Sequence, residues 1–202
     1  MTTAPSTQAS NQVLTIPNQI TGVRLLLSVA VFVLIGLQYY TAAVILFLVA
    51  ASTDWVDGYW ARRYGAVSKL GRVFDPFVDK IIICGSFIYL CAQPQSRVVP
   101  WMAVVVVGRE LLVTALRSSI EQSGGDFSAN MSGKLKMVFQ CAAVVASLLV
   151  LRKGDSPPDW LVWATAALVW LAVLSTLQSG FVYVIAAAKF WQNMPQEASG
   201  DE

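Results

Sequence analysis

Six apolar stretches run through this chain: Ile20–Tyr39, Thr41–Arg62, Gly71–Ala92, Val98–Leu116, Met137–Leu151 and Trp160–Ala188. Each is near the roughly 20 residues that cross a bilayer as a helix. The pattern leaves few folds open. In lipid every backbone polar group must find its partner inside the protein, which favours helices over an open sheet. Hydrophobic residues make up 56% of the 202, charged residues only 13%, and the mean hydropathy is +0.60. The expected fold class is therefore all-α integral membrane, with six transmembrane helices. Turn signals separate the stretches at Tyr39-Tyr40-Thr41, Gln93-Pro94-Gln95-Ser96 and Gly154-Asp155-Ser156-Pro157-Pro158. No internal repeat is apparent, which argues against an inverted-repeat transporter.

Residues 1–17 are polar and lack a basic start, so they are expected to form a mobile N-terminal tail rather than a leader. A polar tail is expected at 191–202, leaving 18–190 as the membrane domain. The basic residues orient the spans. With the N-terminus in the cytoplasm, Arg62, Arg63, Lys69, Arg72, Arg117, Lys134, Lys136 and Lys189 fall inside. Outside are Arg97, Arg152 and Lys153, the last two opposed by Asp155 and Asp159. Trp101 and Trp160 suit the outer interface, and Trp60 and Trp191 the inner one. Nothing in this charge pattern suggests nucleic acid; the formal net charge is +2.

The chain has no histidine. That removes Ser-His-Asp triads, histidine-ligated zinc and histidine nucleophiles. The cysteines Cys84, Cys91 and Cys141 lie in apolar stretches without ligand spacing and read as small buried hydrophobes.

Against this background stand four aspartates. Asp54-x-x-Asp57-Gly58-x-x-Ala61-Arg62 is followed after eight residues by Gly71-x-x-x-Asp75-x-x-x-Asp79. An Asp at a helix centre in a bilayer costs roughly 2.5–3.5 kcal/mol, so such groups are kept for function. On helices, spacings of three and four put each pair on one face. Two antiparallel spans joined by a short basic loop would bring the four carboxylates to one polar cavity facing the cytoplasm. Carboxylate pairs suit hard divalent cations, Mg2+ above all and Mn2+ as an alternative. Two such ions clamp an in-line displacement at phosphorus. Gly58, Ala61 and Gly71 leave room for a ligand beside the backbone, and Arg62 can fork onto a phosphate. Pro76 is tolerated if a helix starts or kinks there. A buried salt-bridge network is the plain structural alternative.

The full string resembles the signature of the CDP-alcohol phosphatidyltransferases and matches it at every fixed position; the likeness extends from about residue 16 to residue 188. It implies a six-helix membrane enzyme, usually a homodimer in the bacterial inner membrane, with its active site open to the cytoplasm. Such enzymes move a phosphatidyl group from a CDP-linked lipid to an alcohol and release CMP. By that resemblance Asp54, Asp57, Asp75 and Asp79 hold two metal ions, and Asp79 is the general base. Asp57, Gly58, Ala61, Arg62, Gly71 and Asp75 would line the CDP site.

Other residues must choose the acceptor. Asn18-x-x-Thr21-x-x-Arg24, Arg109-Glu110 with Arg117, Gly133-Lys134-Leu135-Lys136 and, within the last span, Ser179-x-x-x-Tyr183 occur in order. Together they resemble the branch of the family that uses sn-glycerol 3-phosphate with CDP-diacylglycerol. The likeness implies that Arg109, Arg117, Lys134 and Lys136 bind the acceptor phosphate, supported by Asn18, Thr21, Arg24, Glu110 and Tyr183. Structural readings stand beside these. Lys134 and Lys136 also fit interfacial lysines that snorkel, Arg117 a helix-end charge, and Arg109 and Glu110 a simple pair. Asn18 and Thr21 fit helix caps, and Tyr183 fits packing. Within the family, phosphatidylglycerol or inositol phosphate are the alternative acceptors. Outside it, an Asp-rich prenyltransferase and a cation transporter are the distant alternatives.

Overall fold

A computed structural model of the chain describes the backbone of residues 16–64, 69–123 and 131–192, and the side chains of 21–52, 77–78, 80–123 and 135–192. Over the described residues run α1 (Ile16–Gly36), α2 (Tyr40–Tyr64), α3 (Lys69–Cys91), α4 (Pro100–Gln122), α5 (Met131–Arg152) and α6 (Asp159–Gln192). A single 3-10 turn, Pro94–Ser96, lies between α3 and α4. Each helix coincides with one of the six apolar stretches to within about two turns. The chain divides into two compact units, one ending at Tyr89 and the other beginning at Leu90.

In the first unit α1 packs along α2. The buried stripe of α1 is Thr21, Arg24, Ser28, Val31 and Ile35, polar in its first half and apolar in its second. That of α2 is Ala43, Phe47 and Ala50. On α3, Val78, Ile82, Ile83, Ser86 and Phe87 are buried. Gly85 brings the backbone of α3 against Phe32 of α1, since a Cβ there would overlap the Phe32 ring. One turn later Tyr89 stacks on the same ring, centroids 5.4 Å apart and planes 11° from parallel.

The turn between α1 and α2 falls at Leu37–Tyr39, earlier than the expected Tyr39-Tyr40-Thr41. Gln38 adopts a left-handed conformation with φ 63°. Its N–H donates to the Ile35 carbonyl at 3.1 Å, and the Tyr39 N–H to the Leu34 carbonyl at 2.8 Å. This is a Schellman closure with glutamine in the place that favours glycine. The Tyr39 carbonyl then accepts from Ala43 at 3.0 Å, so one residue ends α1 and caps α2. Two further expectations are revised here. The backbone of α1 is helical from Ile16, so Asn18 lies in its first turn and Thr21 beyond it, and neither is a cap. Pro76 does not start α3, which is helical from Lys69 to Cys91, so of the two arrangements expected for it the helix start is ruled out.

In the second unit α6 packs against both α4 and α5. Its buried face includes Thr165, Val169, Ala172, Thr176, Ser179, Gly180, Tyr183 and Ala187, mostly small residues that let neighbours come close. Gln140 of α5 donates to the Thr176 hydroxyl at 2.9 Å, and that hydroxyl donates to the Ala172 carbonyl at 2.6 Å. The segment before α4 is closed by Ser96, whose hydroxyl donates to the Leu90 carbonyl at 2.6 Å and accepts from the Val98 N–H at 3.2 Å. Pro100 at the first turn of α4, and Pro158 with Asp159 at the start of α6, suit helix N-termini.

The distribution of polarity is inverted relative to a water-soluble bundle. Arg24, Glu110, Lys136 and Gln140 are buried, whereas Leu26, Val104, Trp163 and Phe181 are more than two-thirds exposed. Apolar outer faces and polar helix contacts are what a lipid solvent selects. The Leu135–Arg152 part of α5 and the whole of α6 are long and apolar enough to cross a bilayer. Shorter apolar stretches lie in α1, α2 and α3. The all-helical architecture is consistent with a membrane protein.

Candidate active site

The aspartate motif is carried on the adjoining parts of two successive helices. Asp54, Asp57, Gly58, Ala61 and Arg62 are in the second half of α2, and Gly71, Asp75 and Asp79 in the first half of α3. Their side chains lie outside the described residues, as do those of Asn18 and Lys134. The backbone still says where they fall. At about 1.5 Å per residue, Asp54 stands about 15 Å before the end of α2, and Asp79 about 15 Å after the start of α3. Asp57 and Asp75 stand about 10 Å and about 9 Å from the same ends. The two pairs therefore stand at matched distances from the adjoining helix ends.

Register adds a second relationship. Asp54 and Asp57 follow Phe47 and Ala50 by one heptad, and those two residues are 0% and 1% exposed. Asp75 and Asp79 precede the buried Ile82 and Ser86 by one heptad. Each acid pair thus stands one heptad along its own helix from a buried pair. Among the described side chains no group of three or more potential metal ligands comes together.

The second unit holds a closed cluster of charge. Glu110 on α4 accepts from Lys136 on α5 and, through the same Oε1, from Arg109 Nη1 at 3.2 Å. Arg109 Nη2 donates to the Ser179 hydroxyl on α6 at 2.5 Å. The Arg109 guanidinium also lies over the Tyr183 ring, 5.5 Å from its centroid, in cation–π geometry. All three charged side chains are nine-tenths or more buried. Among the described side chains the cluster holds two cations and one carboxylate. Arg117 continues the same face of α4 as Glu110, Val113 and Ile120, and its Nε is buried without a hydrogen-bond partner.

The structure thus brings Arg109, Glu110, Lys136 and Tyr183 together. Lys136 does not snorkel: it is 6% exposed and its ammonium is paired inside the helical unit. Arg109 and Glu110 pair as the plain reading of the sequence has it, but as part of a larger network. Thr21 and Arg24 are buried on α1, where the Ser28 hydroxyl donates to the Arg24 carbonyl at 2.8 Å. Ser179 stood in the sequence motif, but its bond to Arg109 was not foreseen. A serine followed by glycine in an apolar helix resembles packing filler, and only its spacing of four from Tyr183 hints at a shared face.

Comparison with known proteins shows the family. The model of the CDP-alcohol phosphatidyltransferase family matches residues 14–188. A Bacillus subtilis protein named CDP-diacylglycerol–glycerol-3-phosphate 3-phosphatidyltransferase is 37% identical over 76% of this chain and 75% of its own length. An Arabidopsis thaliana protein of that name, numbered 2, is 31% identical over 92% and 84%. The Escherichia coli K12 protein of that name is 33% identical over 72% and 78%. The chain belongs to the CDP-alcohol phosphatidyltransferase family and is an enzyme of that class.

Proposed function

We propose that this enzyme transfers the phosphatidyl group of CDP-diacylglycerol to sn-glycerol 3-phosphate, giving phosphatidylglycerophosphate and CMP. The observation that carries the choice of acceptor is the buried cluster of Arg109, Glu110 and Lys136, two cations to one carboxylate among the described side chains. A buried cation is costly unless an anion offsets it. An acceptor bearing its own phosphate supplies that anion through charge-assisted hydrogen bonds; a neutral polyol does not. Arg109, Arg117, Lys134 and Lys136 are the residues assigned to it. The names of the three relatives point to the same pair of substrates.

The donor set of the aspartate motif consists of carboxylates alone, in a chain without histidine. That chemistry fits hard divalent cations, Mg2+ or Mn2+, and not zinc. Asp54, Asp57, Asp75 and Asp79 would hold two such ions. Bound there, the ions neutralise the diphosphate and stabilise CMP as it leaves. Asp79 takes the proton of the acceptor hydroxyl. The hydroxyl oxygen forms a bond to the lipid-bearing phosphorus, and the bond from that phosphorus to CMP breaks, its electron pair leaving with CMP. Gly58, Ala61 and Gly71 leave space beside the helices for the nucleotide, and Arg62 pairs with its phosphates. With Asp57 and Asp75 they form the CDP site.

The same reading places the enzyme as a multi-pass homodimer in a bacterial inner membrane, its active side to the cytoplasm. It has a six-helix domain over 18–190 between tails 1–17 and 191–202. The inward excess of Lys and Arg supports the orientation. The test is CMP release from CDP-diacylglycerol by the purified protein with Mg2+, offering glycerol 3-phosphate, inositol 1-phosphate, inositol, serine and phosphatidylglycerol separately. Release with glycerol 3-phosphate alone, lost in Asp79→Asn, is the expected result. Release with another alcohol alone would overturn the acceptor and keep the chemistry.

A further inference from the structure

Arg109 is held from three sides. Nη1 donates to Glu110, Nη2 to Ser179, and the Tyr183 ring supports the guanidinium face. Its side chain is only 9% exposed, yet its Nε–H is buried without a hydrogen-bond partner. A guanidinium is planar, so tying both Nη groups fixes the plane and with it the direction of Nε–H. Gly180 permits the close approach of α6, since a Cβ there would sit 3.2 Å from Arg109 Cγ. A lysine could use neither the forked contact nor the flat stacking surface. The segment Ser179-Gly180-x-x-Tyr183 therefore forms a cradle for an arginine in particular, with one donor left open.

We propose that Ser179 and Tyr183 are positioning residues, which aim Arg109 so that its Nε–H meets a phosphate oxygen of a substrate. The inference rests on the phosphatidyl-transfer reading, and it assigns work to two α6 side chains that do not themselves touch substrate. Two phosphates could supply the oxygen, that of the acceptor and the diphosphate of the CDP-lipid. Both offer the same charged acceptor to an N–H donor.

The test uses full-length protein in nanodiscs, with Ser179→Ala, Ser179→Thr, Tyr183→Leu and Tyr183→Phe. KM and kcat are measured for each substrate. Melting shifts induced by glycerol 3-phosphate and by CDP are measured as well, since they need no turnover. Ser179→Ala and Tyr183→Leu should each raise KM for one phosphate substrate roughly tenfold, the weight of a hydrogen bond to a charged group, with a much smaller change in kcat. The melting shift from the same ligand should shrink. Ser179→Thr keeps the hydroxyl and Tyr183→Phe keeps the ring, so both should restore KM. A rise for glycerol 3-phosphate puts the oxygen on the acceptor, and a rise for the CDP-lipid puts it on the donor. Unchanged KM and melting shifts for both ligands would overturn the proposal. So would a loss of kcat that merely tracks a lowered melting temperature. Should the wild type prefer another acceptor, the acceptor reading fails by itself, and the same comparison proceeds with the alcohol it uses.

Discussion

Glu110 and Lys136 form a buried ion pair between α4 and α5, and the Glu110 oxygen that receives Lys136 also receives Arg109. One carboxylate thus balances cations from two helices. Replacing Glu110 by Gln takes the shared carboxylate away from two buried cations. Removing one partner of a buried pair typically costs about 3–5 kcal/mol. The expected outcome is a large fall in melting temperature and in the yield of folded protein. Glu110→Gln with Lys136→Met should recover part of it, and a double-mutant cycle on thermal unfolding would measure the coupling.

Removing divalent metal should abolish CMP release without unfolding the protein. A chelator is expected to stop turnover, with Mg2+ restoring it and Zn2+ failing to, because the motif offers only carboxylates. Asp79→Asn should lower kcat by roughly 100-fold or more, the scale of a lost general base. Turnover and circular dichroism on the same sample separate loss of chemistry from loss of fold.

Gly85 has no room for a side chain against Phe32. Gly85→Val should destabilise the first unit by about 1–3 kcal/mol through overpacking. Adding Phe32→Ala should relieve the overlap, so the double variant is expected to melt above Gly85→Val alone. Melting of both in one detergent checks this.

The Gln140–Thr176 bond joins α5 to α6 in a fully buried setting. Interhelical bonds of this kind contribute roughly 0.6 kcal/mol on average and up to about 1.7 in membrane proteins. Thr176→Val leaves the Gln140 amide without its acceptor and should cost about 1 kcal/mol. Gln140→Leu with Thr176→Val removes both groups and should cost less than the sum of the two single changes, read from thermal unfolding.

The helices were legible because apolar length is a strong signal where lipid forbids alternatives. What failed was local. The turn at Leu37–Tyr39 carries no glycine, and its left-handed residue is Gln38, whose chemistry gives no warning. Pro76 suggested a boundary, yet α3 runs through it. The aspartate motif was legible as spacing, and its heptad register with the buried Phe47, Ala50, Ile82 and Ser86 needed burial to be seen. Arg109 and Glu110 stood out as charges in an apolar stretch. Their pairing with Lys136 and Ser179 did not, because those residues lie 26 and 70 residues away in sequence from the groups they bind. Helical spacing cannot report contacts between helices.

The length of α6 has a consequence of its own. Trp160 and Trp191 stand in its first and last turns, and 31 residues of helix set them about 46 Å apart. A bilayer with its headgroups is about 40–45 Å thick, and tryptophan favours those two layers. The helix is therefore a ruler with a marked end at each side. In a thinner membrane it would have to lean, or lift one indole into water, and the calliper formed by the two rings would register the host bilayer before the chemistry did.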